Sequence, residues 1–91
     1  MQLTERVHLV GSGSSGFGLT DRWDGHVYLL DGGEEAALVD AGLGRGVDRL
    51  LDNVAAAGVE PERLSLLLLT HAHPDHCGAA SALARRLPRL R

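Results

Sequence analysis

At 91 residues the chain has room for one small domain and a core of modest size. An apolar share of 44% marks it as globular rather than disordered, yet Phe17, Trp23 and Tyr28 are its only aromatic residues, so leucine, valine and alanine must build the core. A net charge of −3, with every basic residue an arginine and no basic stripe, gives no electrostatic case for nucleic acid. No apolar run approaches the length needed to cross a membrane. No basic start leads into a long apolar segment. The expectation is therefore a cytoplasmic protein without membrane or nucleic-acid partners. Cys77 is the single cysteine, which excludes an internal disulfide.

Glu5 to Val10 roughly alternates and predicts a first strand, with His8 as a partly exposed strand residue rather than a ligand. The following Gly11-Ser12-Gly13-Ser14-Ser15-Gly16 spells G-x-G-x-x-G after a strand. Dinucleotide binding needs a helix opening at the third glycine to hold the pyrophosphate. Phe17-Gly18-Leu19-Thr20-Asp21 predicts none, so a flexible loop near a site mouth is the better reading. His26 to Leu30 predicts a second strand, with His26 a solvated residue at its start. Asp31-Gly32-Gly33-Glu34-Glu35 has hairpin-turn chemistry, and Ala36 to Val39 gives a third strand, completing an antiparallel meander. Asp40 ends that strand, where a carboxylate can cap the following turn.

Val47, Leu50, Leu51 and Val54 recur at helical spacing and predict a helix from about Gly46 to Ala57, stopped by Gly58. Asp48 and Asp52 fall on its solvated face. The run Leu66-Leu67-Leu68-Leu69 predicts a buried strand, and the strand–helix–strand unit implies a right-handed crossover between parallel strands. From Cys77 the sequence predicts a last helix, closed by Pro88, with Arg85, Arg86, Arg89 and Arg91 as cations complementing its C-terminal dipole.

Between that strand and that helix lies Thr70-His71-Ala72-His73-Pro74-Asp75-His76-Cys77-Gly78, which holds three of the five histidines. In extended backbone, residues two apart point to one side, so His71 and His73 can converge on one ion. The residue before Pro74 is kept out of helical dihedrals, and the proline lets the chain turn before Asp75 and His76, which can serve a second ion. Imidazole and carboxylate ligands suit zinc; iron and manganese tolerate them. The spacing is not that of His-Glu-x-x-His, whose histidines share a helix face.

His71-x-His73-x-Asp75-His76 resembles the signature of the metallo-β-lactamase superfamily, and Ala37-Leu38-Val39-Asp40-Ala41-Gly42 resembles its earlier strand ending in Asp-x-Gly. The resemblance runs from about His26 to Leu87. It implies an α+β or α/β chain in the order βββαβα, residues 1–91 being the N-terminal half of an αββα sandwich. It also implies two zinc ions in the complete fold, with His71 and His73 on the first, and Asp75 and His76 on the second. A metal-bound hydroxide would then attack a thioester, ester, lactone or similar bond of a small-molecule substrate. Asp75 would orient that nucleophile, and Asp40 would support the His-rich loop from behind.

The family's second half supplies further ligands, and no acidic or imidazole residue follows His76. A sheet face left bare would be covered by that half or by a second copy of the chain, and the isolated chain is expected to be inactive. His76 after Asp75 places the nearest branch with glyoxalase II-like thioester hydrolases. A mononuclear-iron, persulfide dioxygenase-like oxidoreductase and a non-catalytic metal-binding half-domain are the alternatives.

Overall fold

The computed structural model describes residues 1–70 and 72–91. Four strands form one sheet in chain order: β1 Val7–Gly11, β2 Val27–Asp31, β3 Ala36–Val39 and β4 Leu64–Leu68. The first three pair antiparallel as the predicted meander, and β3 pairs with β4 in parallel across the crossover helix α1, Val47–Ala56. A 3-10 turn at Pro61–Arg63 leads into β4, and two short helices follow it, α2 Pro74–Cys77 and α3 Ala80–Arg86.

The periodicity of α1 sets the core. Val47, Leu50, Leu51 and Val54 form its buried stripe, while Asp48 and Asp52 are exposed, as expected. The stripe joins Leu83 and Leu87 from the C-terminal segment and Val27, Leu29, Leu38 and Leu64 of the sheet in one cluster. Asn53, on α1, donates from its amide to the carbonyls of Val10 at 2.9 Å and Leu19 at 3.0 Å, fixing the helix to β1 and the loop beyond it.

Among the described residues, the opposite sheet face has no such cover. Cross-strand register aligns Leu30, Ala37 and Leu66 in one row, and Tyr28, Val39 and Leu68 in the next. Leu66 and Leu68 are 41% and 49% exposed. The expectation of a buried leucine strand is thus corrected: the strand starts earlier, at Leu64, and buries one face only. An unbroken leucine run carries no alternation from which to read this.

Three further expectations change. His8 is buried, because Met1 and Gln2 fold back along β1; the Met1 carbonyl accepts from Leu9 N at 2.7 Å, and Gln2 bridges to His8. His26 is half-buried rather than solvated, its ring centroid 6.3 Å from that of Tyr28. The last helix starts at Ala80 rather than Cys77, and the separate turn α2 precedes it. Ala79 donates its amide to the Gly42 carbonyl at 3.0 Å, outside the helix, and a side chain on Gly78 would put its Cβ 2.2 Å from the Leu43 carbonyl oxygen. The Gly-rich loop opens no helix. Ser12 Oγ closes it by accepting from Phe17 N at 3.1 Å and Leu19 N at 3.3 Å. None of the helices is long and apolar enough to cross a membrane among the described residues.

Leu64 and Leu66 stand on one strand with opposite surroundings, the first fully buried and the second exposed. Leu64→Ala is expected to cost about 2–5 kcal/mol in urea denaturation, and Leu66→Ala under about 1 kcal/mol.

Candidate metal centre

Because β3 and β4 run parallel, with Val39 opposite Leu68, Asp40 and Thr70 leave the sheet at the same end. That is the end at which open α/β sheets place their ligands. Asp40 N donates to the Leu68 carbonyl at 2.8 Å, so the turn after β3 is stitched to the end of β4.

The Asp40 backbone is left-handed, with φ 67°, a conformation that aspartate tolerates better than most residues. It aims a buried carboxylate at the His-rich segment. Oδ1 accepts from Thr70 N at 2.9 Å, and the Thr70 hydroxyl lies 3.0 Å from Oδ1 and 2.8 Å from Oδ2. His76 Nδ1 lies 2.8 Å from Oδ2. An ionised carboxylate only accepts, so Nδ1 carries a proton against Oδ2, and in the neutral form of the ring the lone pair falls on Nε2.

Burial pushes the Asp40 carboxyl up, but the hydrogen bonds from Thr70 N, His76 and the Thr70 hydroxyl, with the charge of His76, outweigh it and hold it below its ordinary value of 3.8.

Pro74 sits at the first turn of α2, where its missing N–H costs no hydrogen bond, and His73 before it is extended, φ −66° and ψ 140°, as a residue preceding proline should be. The His73 carbonyl accepts from His76 N at 2.9 Å and Cys77 N at 3.1 Å. This single turn brings Asp75 beside His76, with Asp75 Oδ2 3.5 Å from His76 Nε2. The His76 carbonyl accepts from Ala41 N at 2.6 Å, a second tie to the Asp40 turn. Cys77 Sγ faces the Ala72 carbonyl at 3.2 Å.

Of the expected ligands among the described residues, the structure brings Asp75 and His76 together, with Asp40 behind them; the His73 side chain is exposed at the start of α2. His71 lies outside the described residues. Among the described residues no three His, Cys, Asp or Glu side chains are grouped closely enough to hold an ion. The donor set nevertheless fits one. An imidazole held by a carboxylate at one nitrogen, with its lone pair at the other and a second carboxylate alongside, is the arrangement that prepares a histidine for a metal.

Sequence reasoning missed Asp24 and Gly25. Asp24 Oδ1 accepts from Leu43 N at 2.7 Å, and Gly25 N donates to the Asp75 carbonyl at 2.8 Å. An Asp-Gly pair before a strand reads as a turn, and nothing in the sequence marks these contacts across the fold.

Four strands and their helices in this order form the N-terminal half of the metallo-β-lactamase fold. Residues 20–88 match the model of the metallo-beta-lactamase superfamily, and the chain belongs to that family. It is 45% identical over 64 residues to a hydroxyacylglutathione hydrolase of Anaeromyxobacter dehalogenans, covering 70% of this chain and 23% of that protein. A ribonuclease of Thermus thermophilus is 36% identical over 74 residues, covering 81% of this chain and 15% of the relative. The structure of BJP-1, a subclass B3 metallo-β-lactamase of Bradyrhizobium japonicum, superposes with a TM-score of 0.78 at 25% identity, covering 99% of this chain and 31% of that one. The chain thus spans less than a third of the length of each of these proteins.

The sign of the Asp40 shift sets a pH dependence. Between its lowered folded value and 3.8 the unfolded state binds more protons, so stability rises with pH. The contribution is complete above 3.8 and is lost as pH falls through the folded value. In metal-free protein, the acid limb of a stability-against-pH curve is expected to flatten in Asp40→Asn relative to the unmutated chain.

Proposed function

We propose that this chain carries the His-rich, ligand-bearing part of a zinc-dependent hydrolase whose substrate is a thioester. The observation that supports the hydrolase reading is the His76 ring held at Nδ1 by Asp40 with Asp75 at its other side, in a chain of this family. Three relatives whose names point to an acylglutathione, RNA and a β-lactam share the fold, so the fold alone does not select a substrate. The thioester is favoured by the hydroxyacylglutathione hydrolase, which at 45% is more identical than the other two. The relatives named lend no support to an iron oxidoreductase.

The residues proposed to hold zinc are His71, His73, Asp75 and His76. Bound there, zinc would lower the pKa of a water and stabilise charge on an acyl oxygen. The chain's own work is positional. Asp40 fixes the proton of His76 at Nδ1, so that Nε2 presents a lone pair. Thr70 occupies both carboxylate oxygens of Asp40 and limits its rotation. Asp75 holds or orients the group beside His76.

Zinc titration by calorimetry tests the ligand set: His76→Ala and Asp75→Ala are each expected to weaken binding by at least about tenfold. Iron recovered near one equivalent, with no zinc, would contradict the zinc assignment. For the substrate, hydroxyacylglutathione, a cephalosporin and RNA should be compared on the zinc-loaded chain. Thioester cleavage at least about tenfold faster than the other two supports the reading.

We also infer that the isolated chain pairs with a second copy through the bare sheet face, since the two rows containing Leu66 and Leu68 present a continuous apolar surface. Light scattering should show self-association that the double change Leu66→Glu, Leu68→Glu abolishes. A monodisperse wild-type monomer would refute it.

A further inference from the structure

Asp24 and Gly25 are adjacent in sequence, yet they touch both halves of the site from outside it. Asp24 is 9% exposed, and its carboxylate bonds Leu43 N at 2.7 Å, in the turn that begins at Asp40. That carboxylate also lies across the bare face of Gly42, whose φ is +79°; a Cβ there would come within 2.8 Å of Asp24 Oδ1. Gly25 reaches the other half. Its amide donates to the Asp75 carbonyl at 2.8 Å, and a Cβ on it would fall 2.7 Å from His76 Nε2 and 2.8 Å from Cε1.

The pair is itself held from behind. Asp24 N donates to the Asp21 carbonyl at 3.0 Å, and Gly13 packs so tightly that its Cβ would sit 2.5 Å from the carbonyl oxygens of Arg22 and Asp24. A glycine against an imidazole edge and a buried carboxylate clamping the neighbouring turn are both features that a surface turn does not need.

We propose that Asp24 and Gly25 are positioning residues for His76: Asp24 fixes the turn that carries Asp40, and Gly25 leaves the space in which the ring edge bearing Nε2 lies. Asp40 then sets the ring from the Nδ1 side and Gly25 bounds it from the Nε2 side. The proposal rests on the reading of His76 as a metal ligand for its purpose, but the geometry it invokes is present without a metal. A ring held on both edges loses less orientational freedom when it binds than one held on a single edge.

The test uses the whole chain, metal-free and then titrated with zinc alone. Long-range proton–nitrogen NMR reports the His76 tautomer, calorimetry the zinc affinity, and circular dichroism the fold. The unmutated chain is expected to show His76 protonated at Nδ1 as one sharp species. Gly25→Ala should shift both ring nitrogens and reduce zinc affinity by about 10–100-fold. Asp24→Ala should do the same to a smaller degree, and Asp24→Asn, which keeps an acceptor for Leu43 N, should restore the wild-type signals. Should Gly25→Ala fail to fold, the Asp24 pair of variants decides.

Ring signals unchanged in folded Gly25→Ala, or unchanged in folded Asp24→Ala, overturn the proposal. So does Asp24→Asn behaving no better than Asp24→Ala. A wild-type chain with the single tautomer, with the variant shifts described and with no zinc binding upholds the brace and removes the metal reading instead.

Discussion

One carboxylate, buried where two parallel strands end, is the constraint on which the rest of this structure depends. Asp40 accepts from the amide and hydroxyl of Thr70 and from the ring of His76, and so joins the turn after β3 to the segment after β4. Its left-handed backbone costs on the order of 1–3 kcal/mol. A hydrogen bond to a charged group contributes about 1.5–3 kcal/mol. Three such donors outweigh the strain, which is why a residue other than glycine can hold this conformation. Removing the carboxylate would leave the strain in place and orphan the donors together.

The sheet explains why the site sits where it does. Helices cover one face, their apolar stripes meeting Val27, Leu29, Leu38 and Leu64. The parallel pair β3–β4 then brings two strand ends to the same rim, and the two turns that leave it carry Asp40 and the His-rich segment. The rim is closed by backbone bonds between turns: Ala41 to His76, Ala79 to Gly42 and Gly25 to Asp75. These bonds break the last helix after Cys77, because Ala79 gives its amide to the Asp40 turn instead of to the helix.

Much of this was legible in the residues, and the failures share a cause. The β3 span, the α1 stripe, the hairpin at Gly32–Gly33 and the parallel crossover follow from local pattern and turn chemistry. The neighbouring pair Asp75 and His76 was announced by the His-rich spacing. What the sequence could not show was anything decided by a distant partner. His8 is buried by the chain's own first residues, Leu66 is bare because the described helices pack on the other face, and Asp24 matters through Leu43. Gly78 reads as an ordinary helix residue until the Leu43 carbonyl is placed against it.

The bonds that brace His76 are long-range in sequence. Asp40 reaches Thr70 across 30 positions and His76 across 36, and Asp24 reaches Leu43 across 19. Each spans a large loop that the β3–β4 pairing must close first, whereas the β2–β3 hairpin and α1 assemble from near neighbours. The order of folding should therefore run from scaffold to rim, and the orientation of one imidazole ring becomes among the last things the polypeptide acquires and, under mild denaturing stress, among the first it gives up.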